Sequence, residues 1–180
     1  MRSYSHLRRL VPAIVLLLCL ASAVRADDAP DGWTEYQSDR GGFTVLMPPG
    51  EARTIERPAG EMGEITERRF VLSGGSGYLV NLTLFKPDTI DPVSAFFLLT
   101  ADNLVDLDDG DTVRVERRFE LDSNAAVEIV IDKADGRTKS LRAYAVGDHA
   151  IIQMVVLGPK GSDASADTRL FLDSFRLVSP

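Results

Sequence analysis

The chain is 180 residues long and carries 27 acidic against 20 basic side chains, for a formal net charge of −7. That balance argues against DNA, RNA or an anionic membrane surface as the main partner. A single cysteine and only two histidines exclude an internal disulfide framework, a cysteine-built metal centre and a zinc site made of several histidines.

The N-terminus has the layout of an export signal. Arg2, His6, Arg8 and Arg9 form a basic start, residues 11–20 an apolar stretch, and Ala21-Ser22-Ala23-Val24-Arg25-Ala26 a small-residue run that predicts cleavage before Asp27. The apolar stretch is short for a membrane span. Cys19 is preceded by Leu17 and Leu18, not by the small residue a lipid-modified cysteine requires, so ordinary cleavage is expected and removes the only thiol. The segment holds four arginines and no acid, so the remainder is more acidic than the whole. The expected organisation is a signal peptide over 1–26, a short disordered leader over 27–32 and a single domain over 33–180, exported to the periplasm or the outside. No low-complexity tract, solenoid repeat or long linker interrupts that domain.

Residues 33–38 and 43–47 read as two strands turning at Gly41-Gly42, the second stopped by Pro48-Pro49-Gly50. Residues 64–73 and 78–86 are longer strands joined by Gly74-Gly75-Ser76-Gly77, whose glycines supply the positive φ of a tight hairpin. In the second, Leu79, Val80, Leu82, Leu84 and Phe85 are apolar on both faces, as in a strand buried between two layers. Asp91 and Pro92 fit a helix start, and Val93, Phe96, Phe97, Thr100, Ala101, Leu104 and Val105 keep the helical period. Strands follow at 112–121, 125–132, 138–146 and 150–157. Ser162 or Asp163 caps a short closing helix to about Leu172, with Leu170, Phe171 and Phe175 as core contacts. Turn-linked strands with two apolar-striped helices predict an α+β fold, a central antiparallel sheet flanked by helices.

Trp33, the run Gly42-Phe43-Thr44-Val45, the strand-ending Pro48 and the run from Phe171 through Leu172, Asp173, Ser174, Phe175 and Arg176 to Leu177 together resemble exported bacterial proteins of the PsbP-like fold. The resemblance spans nearly all of residues 33–180 through the order of elements, on short and mostly structural motifs. It implies a sheet with helices on both faces and a non-catalytic accessory role. Its relatives include a photosystem II extrinsic subunit, a nuclear-transport factor that binds the small GTPase Ran, and periplasmic or chaperone-like proteins. No shared set of functional residues comes with it.

Each possible chemical site meets a specific obstacle. His149 follows a turn and lacks an evident nucleophile; Ser76 sits in Gly-Gly-Ser-Gly, but Tyr78 stands where a nucleophile elbow needs glycine. Asp106, Asp108, Asp109 and Asp111 are a weak calcium candidate: glycine falls at the fifth position of an EF-hand loop and Arg117 at the twelfth. A solvated loop fits that cluster better. Gly158-Pro159-Lys160-Gly161-Ser162 lacks P-loop order. Arg68-Arg69 and Arg117-Arg118 point to opposite sheet faces, a layout suited to ion pairs with carboxylates such as Glu67, Glu116 and Glu128. Asn81-Leu82-Thr83 is a glycosylation sequon in form, placed in a central strand.

No catalytic residue, cofactor or metal is therefore assigned, and the leading expectation is an exported, non-catalytic binding or accessory module whose partner is another envelope or secreted protein. Two alternatives stay open. One is a small-molecule or lipid carrier using Phe96, Phe97 and Met154. The other is a hydrolase working through paired carboxylates, which sequence alone does not place.

Overall fold

The computed structural model describes residues 29–57, 65–86 and 107–178. Ten strands, a short 3-10 turn and one α-helix make up the regular elements among them. A small sheet of order β1-β2-β10 comprises β1 (Thr34–Ser38), β2 (Phe43–Met47) and β10 (Arg176–Leu177). The large sheet has the order β3-β4-β5-β9-β8-β7-β6. Its strands are β3 (Ala52–Arg57), β4 (Ile65–Ser73), β5 (Ser76–Leu84), β6 (Thr112–Leu121), β7 (Asn124–Asp132), β8 (Arg137–Val146) and β9 (Ala150–Pro159). All its pairings are antiparallel. The helix α1 (Ala166–Asp173) follows a 3-10 turn at Ser162–Ala164.

Turn chemistry sets the registers. Gly74 and Gly75, with φ of 55° and 78°, close β4 onto β5 so that Ser73 faces Ser76, a two-residue hairpin that only residues tolerant of positive φ make without strain. Asp122 and Ser123 do the same between β6 and β7 with φ of 49° and 65°. Asn124 supports that turn by donating its side-chain amide to the Asp122 carbonyl at 3.0 Å.

The two faces of the large sheet bury different sets of side chains. On the first, Val80, Leu82, Ile152, Met154, Val156 and Tyr144 pack with Phe43, Val45 and Met47 of β2 and with Phe171, Leu172 and Phe175 from and just beyond α1. On the second, Val127, Ile129, Ile131, Leu141, Ala143 and Ala145 are buried together. Tyr36 of β1 reaches across the layers: its hydroxyl donates to Glu67 on β4, and the Arg69 guanidinium lies over its ring at 4.7 Å. Burial raises the Glu67 pKa, and Arg69 opposes that shift.

This arrangement corrects the expected helix-flanked α+β sandwich. The described chain is mostly β, in two antiparallel sheets with one α-helix. The physical reason lies in the first hairpin. It does not extend the main sheet; it pairs with β10 and lays Phe43, Val45 and Met47 on the first face, beside α1. A strand not expected from sequence, β3, extends the other edge. The closing helix buries Phe171 and Leu172, not Leu170, while Phe175 is buried just past its end. The expected helix near 91–105, like the 1–26 segment, lies outside the described residues. Among the described residues no helix is long and apolar enough to cross a membrane.

Candidate functional site

The second face of the large sheet carries an open groove of about 620 Å3 at the end where β4 turns into β5. Strand alternation places Phe70 and Leu72 of β4, Leu79 of β5, and Val155 and Leu157 of β9 on its floor. Gly77 keeps the floor low, because a Cβ there would come within 3.0 Å of the Phe70 ring. Leu72 is 67% exposed, which leaves a large aliphatic side chain open to solvent on this apolar surface. A smaller hollow shares Phe70 and Leu72 and adds Glu51 and Arg53, carrying the depression on toward β3. Beside the floor runs a polar ladder: Arg68 Nε donates to Asn81 Oδ1 at 3.0 Å, and Asn81 Nδ2 to Gln153 Oε1 at 3.1 Å.

Lys133, Arg137 and Lys139 form the opposite wall with Asp108. Lys133 Nζ donates to Asp108 at 2.8 Å and also to Asp111. Asp111 in addition accepts the Ala134 N–H and the Asp108 N–H, each at 2.9 Å. The Lys133 hydrogen bond, then that of Ala134, hold the Asp111 carboxyl down to about 2. Of the four aspartates read as a weak calcium candidate, Asp108 and Asp111 thus already enclose an ammonium group, Asp109 is exposed, and Asp106 lies outside the described residues.

A second, polar cleft of about 280 Å3 opens on the first face between α1 and strands β6 to β8. Arg142 dominates it, donating to the Leu172 carbonyl at 3.1 Å and to Asp173 Oδ1 at 2.6 Å. Burial works against its charge, but the Asp173 hydrogen bond and the neighbouring Tyr144, Asp173 and Glu128 outweigh that, and its pKa is raised. Glu128 is held by Arg117 at 2.6 Å, and Asp163 by Arg114 at 2.8 Å. Every carboxylate of this cleft has its own arginine.

The remaining sequence candidates do not converge. Ser76 begins β5 and sits beside Gly158 at the end of β9, whereas His149 precedes the start of that strand and pairs with Asp148 at 2.6 Å. Nine residues of extended chain separate the two ends, about 30 Å. In the Gly158–Ser162 loop the Gly161 N–H donates to Thr138 Oγ1 at 2.9 Å, and Ser165 caps α1 by accepting from Thr168 N at 3.1 Å, so these two backbone donors are taken, while Ser162 Oγ is buried without a hydrogen-bond partner. Asn81 is buried within its ladder. Met154 is fully buried in the first-face core, while Phe96 and Phe97 lie outside the described residues. The Arg117–Glu128 pair forms as expected, and Arg118 approaches Glu116 at 3.9 Å.

Sequence reading missed both depressions. For the groove the signal was Phe70, Leu72, Leu79 and Leu157 on one face of strands whose other face is also apolar. For the cleft it was Ser140 and Arg142 at alternate positions of β8, on the same face as the apolar Tyr144.

No known family and no curated protein matches the chain. Among solved structures, cyanobacterial PsbP from Synechocystis is similar, with 10% identity, a TM-score of 0.52, and coverage of 83% of this chain and 94% of that one. The chain therefore has a PsbP-like fold. The Ran-binding protein Mog1p of Saccharomyces cerevisiae aligns at 12% identity over 82% of this chain and 96% of its own, with a TM-score of 0.43.

Proposed function

We propose that the chain is an exported, non-catalytic binding or accessory module that works by protein–protein contact, and that its partner docks in the groove over β4, β5, β9 and β8. The observation that carries this reading is Leu72, 67% exposed on an apolar floor that it shares with Phe70, Leu79, Val155 and Leu157. A floor of this kind gains by covering with apolar side chains from a partner segment; the wall beside it is already ion-paired, Lys133 with Asp108 and Asp111 and Arg137 with Asp135. The basic, apolar and small-residue runs at residues 1–26 support export to the periplasm or beyond the cell. The separation of Ser76 from His149, and the arginine on each carboxylate of the polar cleft, weigh against a hydrolase.

The test is comparative capture of envelope proteins with tagged full-length chain and with Leu72→Asp. Because the side chain is exposed, the substitution should leave the melting temperature within about 2 °C, consistent with a surface change of about 0.5 kcal/mol or less. Crosslinked partner recovered with wild type should be lost with Leu72→Asp. An unchanged set of crosslinked proteins would remove the groove from the reading.

A further inference from the structure

The polar cleft beneath α1 contains buried hydrogen-bonding groups that the protein leaves unused. Ser140 is 2% exposed, and its Oγ, at the floor of the cleft, has no hydrogen-bond partner. Arg142 Nε also lacks one: the nearest carboxylate oxygen, on Glu128, is 3.6 Å away, beyond hydrogen-bond range. Buried donors are almost always satisfied, so two facing the same small cavity point to something that fills it. Arg169 of α1 adds a third donor group at the edge.

The other side of the cleft has the opposite character. Glu128 and Asp163 each give one carboxylate oxygen to an arginine, Arg117 and Arg114 respectively. Their second oxygens take no hydrogen bond from a described residue. Leu172 supplies an apolar wall. Unused donors, available acceptors and an aliphatic surface thus converge in about 280 Å3.

We propose that this cleft binds a small α-amino acid as the zwitterion. The ligand carboxylate lies toward Ser140 Oγ, Arg142 Nε and Arg169, its ammonium toward Glu128 and Asp163, and its short aliphatic side chain against Leu172. A simple anion would meet the donors but sit unpaired beside the carboxylates, and a simple cation would face the arginines. A molecule with both charges satisfies both sides and adds no net charge to the network. Water would serve the Ser140 hydroxyl, but it has no use for the apolar wall.

The experiment is calorimetric titration of the full chain with glycine and L-alanine, beside propionate and ethylamine, which each keep one half of alanine's charge. L-Alanine should bind saturably in the millimolar range or tighter, and propionate and ethylamine at least tenfold more weakly. Ser140→Ala, which removes one oxygen, and Arg169→Gln, on the exposed side of α1, should each weaken alanine binding by about tenfold, the loss expected for one hydrogen bond to a charged group. Neither change should unfold the protein, so a thermal melt of each variant separates lost binding from lost fold. No saturable heat with either amino acid would mean that water alone fills the cleft, and the proposal would fail. Propionate binding as tightly as alanine, or unaltered binding by both folded variants, would equally overturn it.

Discussion

Ser174 Oγ accepts a hydrogen bond from the backbone N–H of Leu46 at 2.9 Å, at the position where β10 would have to continue to serve that group. The β2–β10 register places Arg176 opposite Thr44 and Leu177 opposite Phe43, so Ser174 falls opposite Leu46, but at the end of α1. Its hydroxyl takes the place of a strand carbonyl and donates in turn to the Phe171 carbonyl at 2.7 Å. Both residues are buried. Ser174→Ala leaves the Leu46 N–H without a partner, and the expected loss is about 2 kcal/mol. Urea unfolding measures it; a loss below about 0.5 kcal/mol would mean that the N–H finds another acceptor.

Phe175 locks the same junction through its ring. It stacks on Tyr144 with centroids 4.1 Å apart and planes 10° from parallel, and packs against Phe43 at 5.6 Å. One side chain thereby joins the large sheet to the small one. Phe175→Ala is expected to cost about 3–4 kcal/mol, and Phe175→Leu, which keeps most of the volume, less than half of that. Equal losses for the two would show that filling volume is not what Phe175 contributes.

The strands were legible because their ends are chemically marked. Gly74-Gly75, Asp135-Gly136 and Gly147-Asp148 bound runs of alternating or continuous apolar residues, and five of the described strands, β4, β5, β7, β8 and β9, border those marks. Ala52–Arg57 escaped because an edge strand pairs on one side only and its sequence, ARTIER, is dominated by polar residues. The layers were not legible at all. Alternation at Phe43, Val45 and Met47 says which side of β2 is buried; it does not say whether a helix or another sheet lies there. The same limit hid both depressions. Leu72 lies in a strand legible from its flanking turn, but strand spacing does not say whether the face it occupies is covered. Ser140 and Arg142 lie on an inward face, and their convergence with α1 is a matter of tertiary contact.

Processing supplies a third prediction. Cleavage after Ala26 should give a mature N-terminus at Asp27, because Ala26 and Val24 suit the small-residue rule. Intact mass spectrometry of exported protein reads this directly. A mass carrying lipid on Cys19 would replace a free protein by an anchored one and would overturn the export route proposed above.

Calcium offers a fourth. Lys133 Nζ already sits between Asp108 and Asp111, where a cation would have to displace it, so calcium or chelator added to the wild-type protein should not move its melting temperature. In Lys133→Met the two carboxylates lose their ammonium, and any calcium-dependent stabilisation should emerge there first. A rise of several degrees with calcium in the wild type would instead establish the aspartate cluster as a metal site.

The same contact fixes the acid limb of stability. Asp111 titrates at about 2 in the folded protein against 3.8 ordinarily, because Lys133 and the Ala134 N–H stabilise its carboxylate. Asp135 is lowered too, by the side chain and backbone N–H of Arg137. Between the folded and unfolded values the unfolded chain binds more protons, so Asp111 contributes stability that is present above pH 3.8 and lost as the pH falls toward 2, and Asp135 contributes in the same direction. Lys133, raised by its hydrogen bonds to Asp108 and Asp111, contributes stability that is complete below its ordinary 10.5 and declines only as alkali removes the proton. Asp111→Asn keeps the shape and removes the titration. Denaturant midpoints should therefore differ between wild type and variant at pH 6, with wild type the more stable, and converge as the pH approaches 2. A gap that stays constant over that range would assign the effect of Asp111 to packing and not to its charge.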